Sequence, residues 1–415
     1  MPRGKVCRCN YGGRFANAVL PKEAIEEVLR GKSSIFIGYT SEPHLRKRIR
    51  LIDSRVDSSR PRPHRLAICV SPIMQLAAWV LLPRFFEASS YVSFVKMWIL
   101  HGATKFYAMV QSMTSEFDAM LRIYENDPTI DIERIPWGML PTDEDVDSEN
   151  NPNNQIIGAE QTLSLNDCLL RSRSSAEYVA TVDYDEIFVV RNNSTLLELL
   201  DSFNSDDSDT SAFVFRSSFV FYDVKMNLST SDQTPFIRHP SDLSFYPLRN
   251  VSLENEIYPT GSRTKVILRP EMTKSVGVHM PRDMEDEKYK TVVVDPAVAL
   301  IFHLRLVDNP LGFRNNSLPN YELNKYIAQW EKQYRERIDA ETKRMEKEKV
   351  RGNRITVANK EWPNRSHQTA QDMQNCASKY YLADETCTAY AKCFPNITAV
   401  RMDEWIFGES TTVVL

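Results

Sequence analysis

What this chain of 415 residues lacks narrows its function before any motif is read. It has no large excess of either charge: 51 Lys and Arg stand against 55 Asp and Glu, a net charge of -4. Proteins that grip nucleic acid concentrate basic residues on one face, so that class is disfavoured. No Gly-x-x-x-x-Gly-Lys loop occurs, which removes the usual backbone cradle for phosphate and argues against metal-dependent phosphotransfer or hydrolysis. No internal repeat is found. The seven cysteines lack the paired close spacing of a zinc site; Cys376, Cys387 and Cys393 cluster near the end with only an isolated His367 nearby. Disulfides among some of them are therefore expected. Cys69 and Cys168 sit in apolar segments and are expected to be core residues or disulfide halves, because no paired His marks either as a nucleophile.

Long hydrophobic runs are missing too. The longest apolar stretch, Leu66 to Leu82, is interrupted by Pro72 and Gln75 and stops at Pro83. A membrane helix needs about 20 consecutive apolar residues. No apolar core follows the first five residues, so no signal peptide is read. Yet Asn192, Asn193, Asn227, Asn250, Asn315, Asn364 and Asn396 each begin an Asn-x-Ser/Thr sequon without proline at x. Composition alone would give roughly three such triplets. The excess implies passage through the secretory lumen, and a membrane anchor missing from this chain is expected.

What is present centres on Val179-Ala-Thr-Val-Asp183-Tyr-Asp185-Glu186-Ile-Phe-Val-Val190. If this segment is one extended strand, alternation puts Asp183 and Asp185 on the same face and Glu186 on the other. Two adjacent carboxylates in an apolar setting repel and are costly to desolvate, and a divalent cation removes both penalties. Asp-x-Asp alone is weak, since Asp143-Glu-Asp145 in an acidic loop has the same form. The β-branched flanks raise it above that background.

Around it the periodicity predicts strands at 66–71, 105–110 and 130–135, alternating with helices at 81–100, 116–124 and 156–171. Such alternation argues a mainly parallel sheet covered on both faces, with ligands at the carboxyl ends of its strands. Further strands are expected at 211–222 and 264–269. Two apolar runs end in His279 and His303. Residues 321–351 read as a charged helix with Tyr326, Trp330, Tyr334 and Ile338 along one stripe, its charges a solvated face.

The ordered set of Cys69-Val-Ser-Pro72, His101-Gly102, Phe106-Tyr107, Trp137, Gln161, Asp167-Cys168, Arg171, Asp183-x-Asp185-Glu186, Lys265-Val-Ile-Leu-Arg269-Pro270, His279 and Phe302-His303-Leu-Arg305 resembles glycosyltransferase family 92, formerly domain of unknown function 23. The resemblance spans about 65–330. It implies a GT-A fold: a Rossmann-like, mainly parallel α/β sheet with helices on both faces. It also implies a manganese-dependent inverting transfer of galactose from UDP-galactose, β1,4-linkages on glycans of glycoproteins, and a type II membrane protein of the Golgi. Leu304 departs from the Tyr usual in the family, while His303 and Arg305 are kept.

On this reading residues 1–60 are a stem or poorly ordered lead-in and 61–330 the GT-A domain. Residues 331–415 are a C-terminal appendage, the charged helix and a Cys-containing, disulfide-rich extension. Asp185 is expected to coordinate the cation, Asp183 to bind the ribose or coordinate through water, and His303 to complete the metal site, with His279 as its competitor. Arg305 is expected at the diphosphate, and Lys265 and Arg269 at solvated strand edges. An inverting enzyme needs a base for the acceptor hydroxyl. Asp223, Glu254 and Glu256 are the candidates, and spacing does not choose among them. Trp137 is either a sugar-stacking ring or core. The alternative function is a lectin-like or scaffolding protein that keeps the fold without turnover; retained acids and His303 argue against it.

Overall fold

A computed structural model describes residues 19–30, 34–38, 46–50, 52–57, 59–73, 94–138, 150–156, 160–192, 194–223, 246–249, 251–307, 317–350 and 405–407, with a few isolated residues between them. Part of the expected 81–100 helix, most of the acidic loop and most of the cysteine-bearing tail lie outside this set. Within the expected lead-in there is regular structure: helix α1 (Lys22–Leu29) and an antiparallel pair of strands, Ser34–Ile37 and Lys47–Arg50.

The centre is a seven-stranded sheet. Four of its strands are β1 (His64–Ile73), β2 (Ala103–Val110), β3 (Asp131–Pro136) and β4 (Ala176–Val182), all mutually parallel in the order β4-β1-β2-β3. Beyond β4 the sheet continues through one antiparallel strand. A second sheet begins with β5 (Glu186–Val190). The long strand expected at 211–222 is two strands, β6 (Thr210–Phe215) and β7 (Ser217–Asp223), which belong to different sheets. The break falls at Arg216, whose guanidinium donates to the carbonyls of Tyr258 and Ile257 at 2.8 and 2.9 Å. Those bonds hold the chain while it changes sheets, an effect local alternation does not reveal.

The remaining strands of these two sheets are β8 (Val251–Glu254), β9 (Lys265–Leu268), β10 (Lys290–Val293), β11 (Ala299–Val307) and β12 (Ser317–Asn320). The large sheet has the order β10-β6-β9-β4-β1-β2-β3, with β9 the antiparallel member. The smaller sheet runs β12-β8-β7-β11-β5. The fold is α/β with a mainly parallel central sheet, as the sequence implied.

Strand alternation sorts the core. Leu66, Ile68 and Val70 face one layer while Ala67 and Cys69 face the other, all buried. Helical residues 94–100, α2 (Ser115–Glu125) and α4 (Leu196–Asp206) cover the first face; α3 (Gln161–Ser172) covers the second with Leu165, Cys168 and Leu169. Cys69 and Cys168 form a disulfide that ties β1 to α3, with Cα atoms 5.9 Å apart. Trp137 packs against this second layer. Helix α5 (Asn324–Val350) buries Trp330, Tyr334 and Ile338 of the stripe read from the sequence in the first layer, with Tyr326 partly buried against it and Ile327 buried beside it. Its far side is charged. Among the described residues no helix is long and apolar enough to cross a membrane.

Candidate active site at the junction of two sheets

The acid motif is a turn, not a strand. β4 ends at Val182 in the large sheet, β5 starts at Glu186 in the small one, and Asp183, Tyr184 and Asp185 make the connection. The Glu186 amide donates to the Asp183 carbonyl at 3.3 Å, closing it. The expectation that alternation would place both aspartates on one face is therefore corrected: the chain reverses between sheets, and the two carboxylates point to different partners. The position at the carboxyl edge of the parallel strands is as expected.

Asp183 faces the large sheet. Ser71 at the end of β1 and Gln161 at the start of α3 both donate to its Oδ1, the latter at 3.2 Å, and Lys265 of β9 donates to its Oδ2. Lys265 is buried, with the second carboxylate of Glu186 3.5 Å away. Burial works against its charge, but Glu186, Asp183 and Asp185 outweigh it and raise its pKa. The expected solvated role of Lys265 is thus also corrected. A lysine opening the apolar run Val266-Ile-Leu268 was the available signal. Arg269 turns away, to Glu271, Asn204 and the Ser208 carbonyl.

Asp185 faces the small sheet. His303 Nε2 lies 3.2 Å from its Oδ2 and Arg305 Nη1 2.5 Å from the same oxygen. Burial pushes the carboxyl up, yet His303 and Arg305 together hold it down at about 2. The Leu304 amide donates to the Asp185 carbonyl at 2.8 Å, so β11 fixes the turn through its backbone whatever side chain residue 304 carries.

Glu186 was expected to face away from Asp185 in a structural role. Instead it lies between the two aspartates, fully buried. Its Oε2 accepts from the Asp183 amide at 3.0 Å, and its Oε1 lies 3.8 Å from His303 Nδ1. Neither of those last two atoms has a hydrogen-bond partner. Burial drives the Glu186 carboxyl well above its ordinary range, with Lys265 pulling the other way.

His279 donates from Nδ1 to the Thr264 carbonyl at 3.0 Å, and burial lowers its pKa. Of the candidate bases, Glu254 accepts a hydrogen bond from Tyr258 at 3.1 Å, Glu256 is exposed, and Asp223 ends β7 opposite Val307. Tyr258 stands edge-on to Phe219 at 5.2 Å, and Phe219 edge-on to His303 at 5.4 Å. This aromatic bridge was not anticipated, because Phe219 reads as one more apolar strand residue.

Among the described residues no three His, Cys, Asp or Glu side chains close on one point as a metal cage. The pair Asp185–His303 nevertheless fits a cation. Two neighbouring ligands bonded at about 2.1 Å to an octahedral ion lie about 3 Å apart, and these atoms are 3.2 Å apart. A ligating His typically donates its other nitrogen to a carboxylate; here Glu186 stands at that nitrogen.

The model of glycosyltransferase family 92 matches residues 64–354. Curated relatives from Caenorhabditis elegans include glycosyltransferase family 92 protein F13G3.3, 23% identical over 65% of this chain and 48% of its own length. Another is beta-1,4-galactosyltransferase galt-1, 23% identical over 62% of this chain and 52% of its own. The chain thus spans about half the length of the curated relatives it matches. Among solved structures, a 4-diphosphocytidyl-2C-methyl-D-erythritol synthase from Anaerococcus prevotii covers 56% of this chain and 89% of its own at 11% identity. Its TM-score is 0.24.

Proposed function

The chain belongs to glycosyltransferase family 92, and we propose that it is a metal-dependent, inverting glycosyltransferase moving galactose from UDP-galactose to a glycan acceptor. The observation that carries this reading is the Asp185–His303 pair, 3.2 Å apart at the carboxyl edge of a mainly parallel sheet, with Glu186 behind it. A divalent cation such as Mn2+ held there supplies positive charge to the diphosphate oxygens as the sugar bond breaks.

The chain's own residues prepare that site. Asp185 and His303 would hold the cation, with Glu186 Oε1 standing 3.8 Å from the imidazole Nδ1. Lys265, Ser71 and Gln161 fix the Asp183 carboxylate toward the large sheet, where it meets the nucleotide's ribose instead of the cation. Arg305 lies on Asp185 with its side chain 40% exposed, positioned to receive a phosphate oxygen by charge-assisted hydrogen bonds. The donor identity is supported by the galactosyltransferase name of one relative. The secretory compartment is supported by the sequons, of which Asn192 is exposed in a turn.

The test is UDP release by the chain purified from a eukaryotic host, with UDP-galactose and other UDP-sugars, with and without Mn2+. We expect Mn2+-dependent release that is greatest with UDP-galactose. No release with any donor contradicts the enzyme reading; equal release without metal contradicts the cation.

A further inference from the structure

One guanidinium beside this site has no acidic partner among the described residues. Arg263 precedes β9 in the turn that follows Tyr258, with left-handed backbone at φ 58°. For a residue with a Cβ that conformation is strained, and such strain persists where surrounding contacts impose it, often at ligand sites. Ser217 imposes it here, its hydroxyl donating to the Arg263 carbonyl at 2.8 Å. The only other non-glycine residue with positive φ among those described is Glu160, which precedes Gln161 at the opposite edge of the site.

The Arg263 side chain is held by faces, not by charges. Its Cζ lies 4.5 Å from the ring centre of Phe219 and 4.7 Å from that of Tyr258. Arg305, which pairs with Asp185, lies 5.1 Å from the same Phe219 centre. One ring therefore gathers two guanidiniums beside Asp185 and His303. Stacking orients a guanidinium while leaving its N–H groups free. Arg305 spends one on Asp185. Among the described residues no hydrogen bond or ion pair uses those of Arg263.

We propose that Arg263 is a second binding residue for the diphosphate of the nucleotide, acting with Arg305 beside the same Phe219 ring. This rests on the nucleotide-sugar reading above. Two planar donors aimed at one site match a dianionic, two-phosphorus group better than the single negative charge of a carboxylate. They also meet the charge left on the diphosphate when the glycosidic oxygen keeps the bonding electron pair.

The variant Arg263→Gly removes the guanidinium and relaxes the backbone, since glycine takes positive φ freely. UDP binding to the full chain with Mn2+ is measured by calorimetry, and Mn2+ binding alone by electron paramagnetic resonance. We expect UDP affinity to fall about 10- to 100-fold with Mn2+ affinity within about twofold of wild type. UDP affinity unchanged in the variant, while wild type binds UDP, overturns the role of Arg263 and leaves the nucleotide-sugar reading standing. An equal loss of Mn2+ affinity overturns it too, since Arg263 then acts through His303. Absence of UDP binding by wild type overturns both.

Discussion

Two of the buried lysines among the described residues, Lys265 and Lys96, are treated in opposite ways. Lys265 lies at the junction of the sheets with Asp183 and Glu186 on its ammonium, and their charge raises its pKa. Lys96 is equally inaccessible, in helical residues 94–100, and its Nζ has no hydrogen-bond partner. Burial lowers its pKa to about 6, Arg337 adding to the effect and Asp127 and Glu336 opposing it. Its nearest aromatic surface is the Tyr124 ring, 5.5 Å away. The difference teaches where this fold concentrates compensating charge. Acids, a lysine and a histidine are gathered at one sheet edge, while a lone amine elsewhere is left to lose its proton.

The largest expected effect comes from breaking the compensated side. Lys265→Met leaves Asp183 and the buried Glu186 without their cation. Removing one partner of a buried pair costs about 3–5 kcal/mol, so the urea midpoint should drop sharply. A loss below about 1 kcal/mol would show that the acids do not need it.

The opposite sign is expected at the uncompensated lysine. Lys96→Met replaces an amine whose pKa burial lowers to about 6, and stability at pH 7 should rise by up to about 5 kcal/mol. The folded pKa of Lys96 lies below that of an unfolded lysine. Between about pH 6 and pH 10 the unfolded chain therefore binds the extra proton, and stability increases with pH. Wild type should gain stability from pH 6.5 to 9 by thermal melts, and the variant should gain much less. Parallel curves would mean that Lys96 keeps its charge in the fold.

A smaller effect sharpens the comparison from the acid side. Burial pushes the Glu186 carboxyl up while Lys265 pulls it down, so Glu186→Gln, nearly the same shape and uncharged, should change stability by less than Lys265→Met does. Its Mn2+ affinity should fall about 10-fold, the usual consequence of disturbing a ligand's supporting contact. A large stability loss would show that Glu186 is ionised.

These contrasts also mark what the amino-acid order could reveal. Leu66–Val70 and the Tyr326–Ile338 stripe were legible because periodicity records which face an element buries. His303 was legible as a histidine ending an apolar run, and the disulfide halves as cysteines in apolar segments. The pairing of Lys265 with Asp183 was not, since its partners arrive from β4 and the turn after it, 82 residues away. The direction of Asp185 and Glu186 was misread because alternation holds only while a strand continues, and here the chain leaves one sheet for another. Arg216 and Arg263 carry no local pattern: one ties a sheet crossing to distant carbonyls, the other rests on rings brought by β7 and the Tyr258 turn.

We propose that the Asp185 side of this junction holds a cation and, through it, UDP. Titration of wild type and Asp185→Asn with UDP, in Mn2+ and again in excess chelator, tests it most directly. Asp185 anchors both His303 and Arg305, so we expect saturable, Mn2+-dependent binding by wild type that falls about 100-fold or more in Asp185→Asn, with the fold retained by circular dichroism. Equal UDP affinity in the variant, or in chelator, would contradict it.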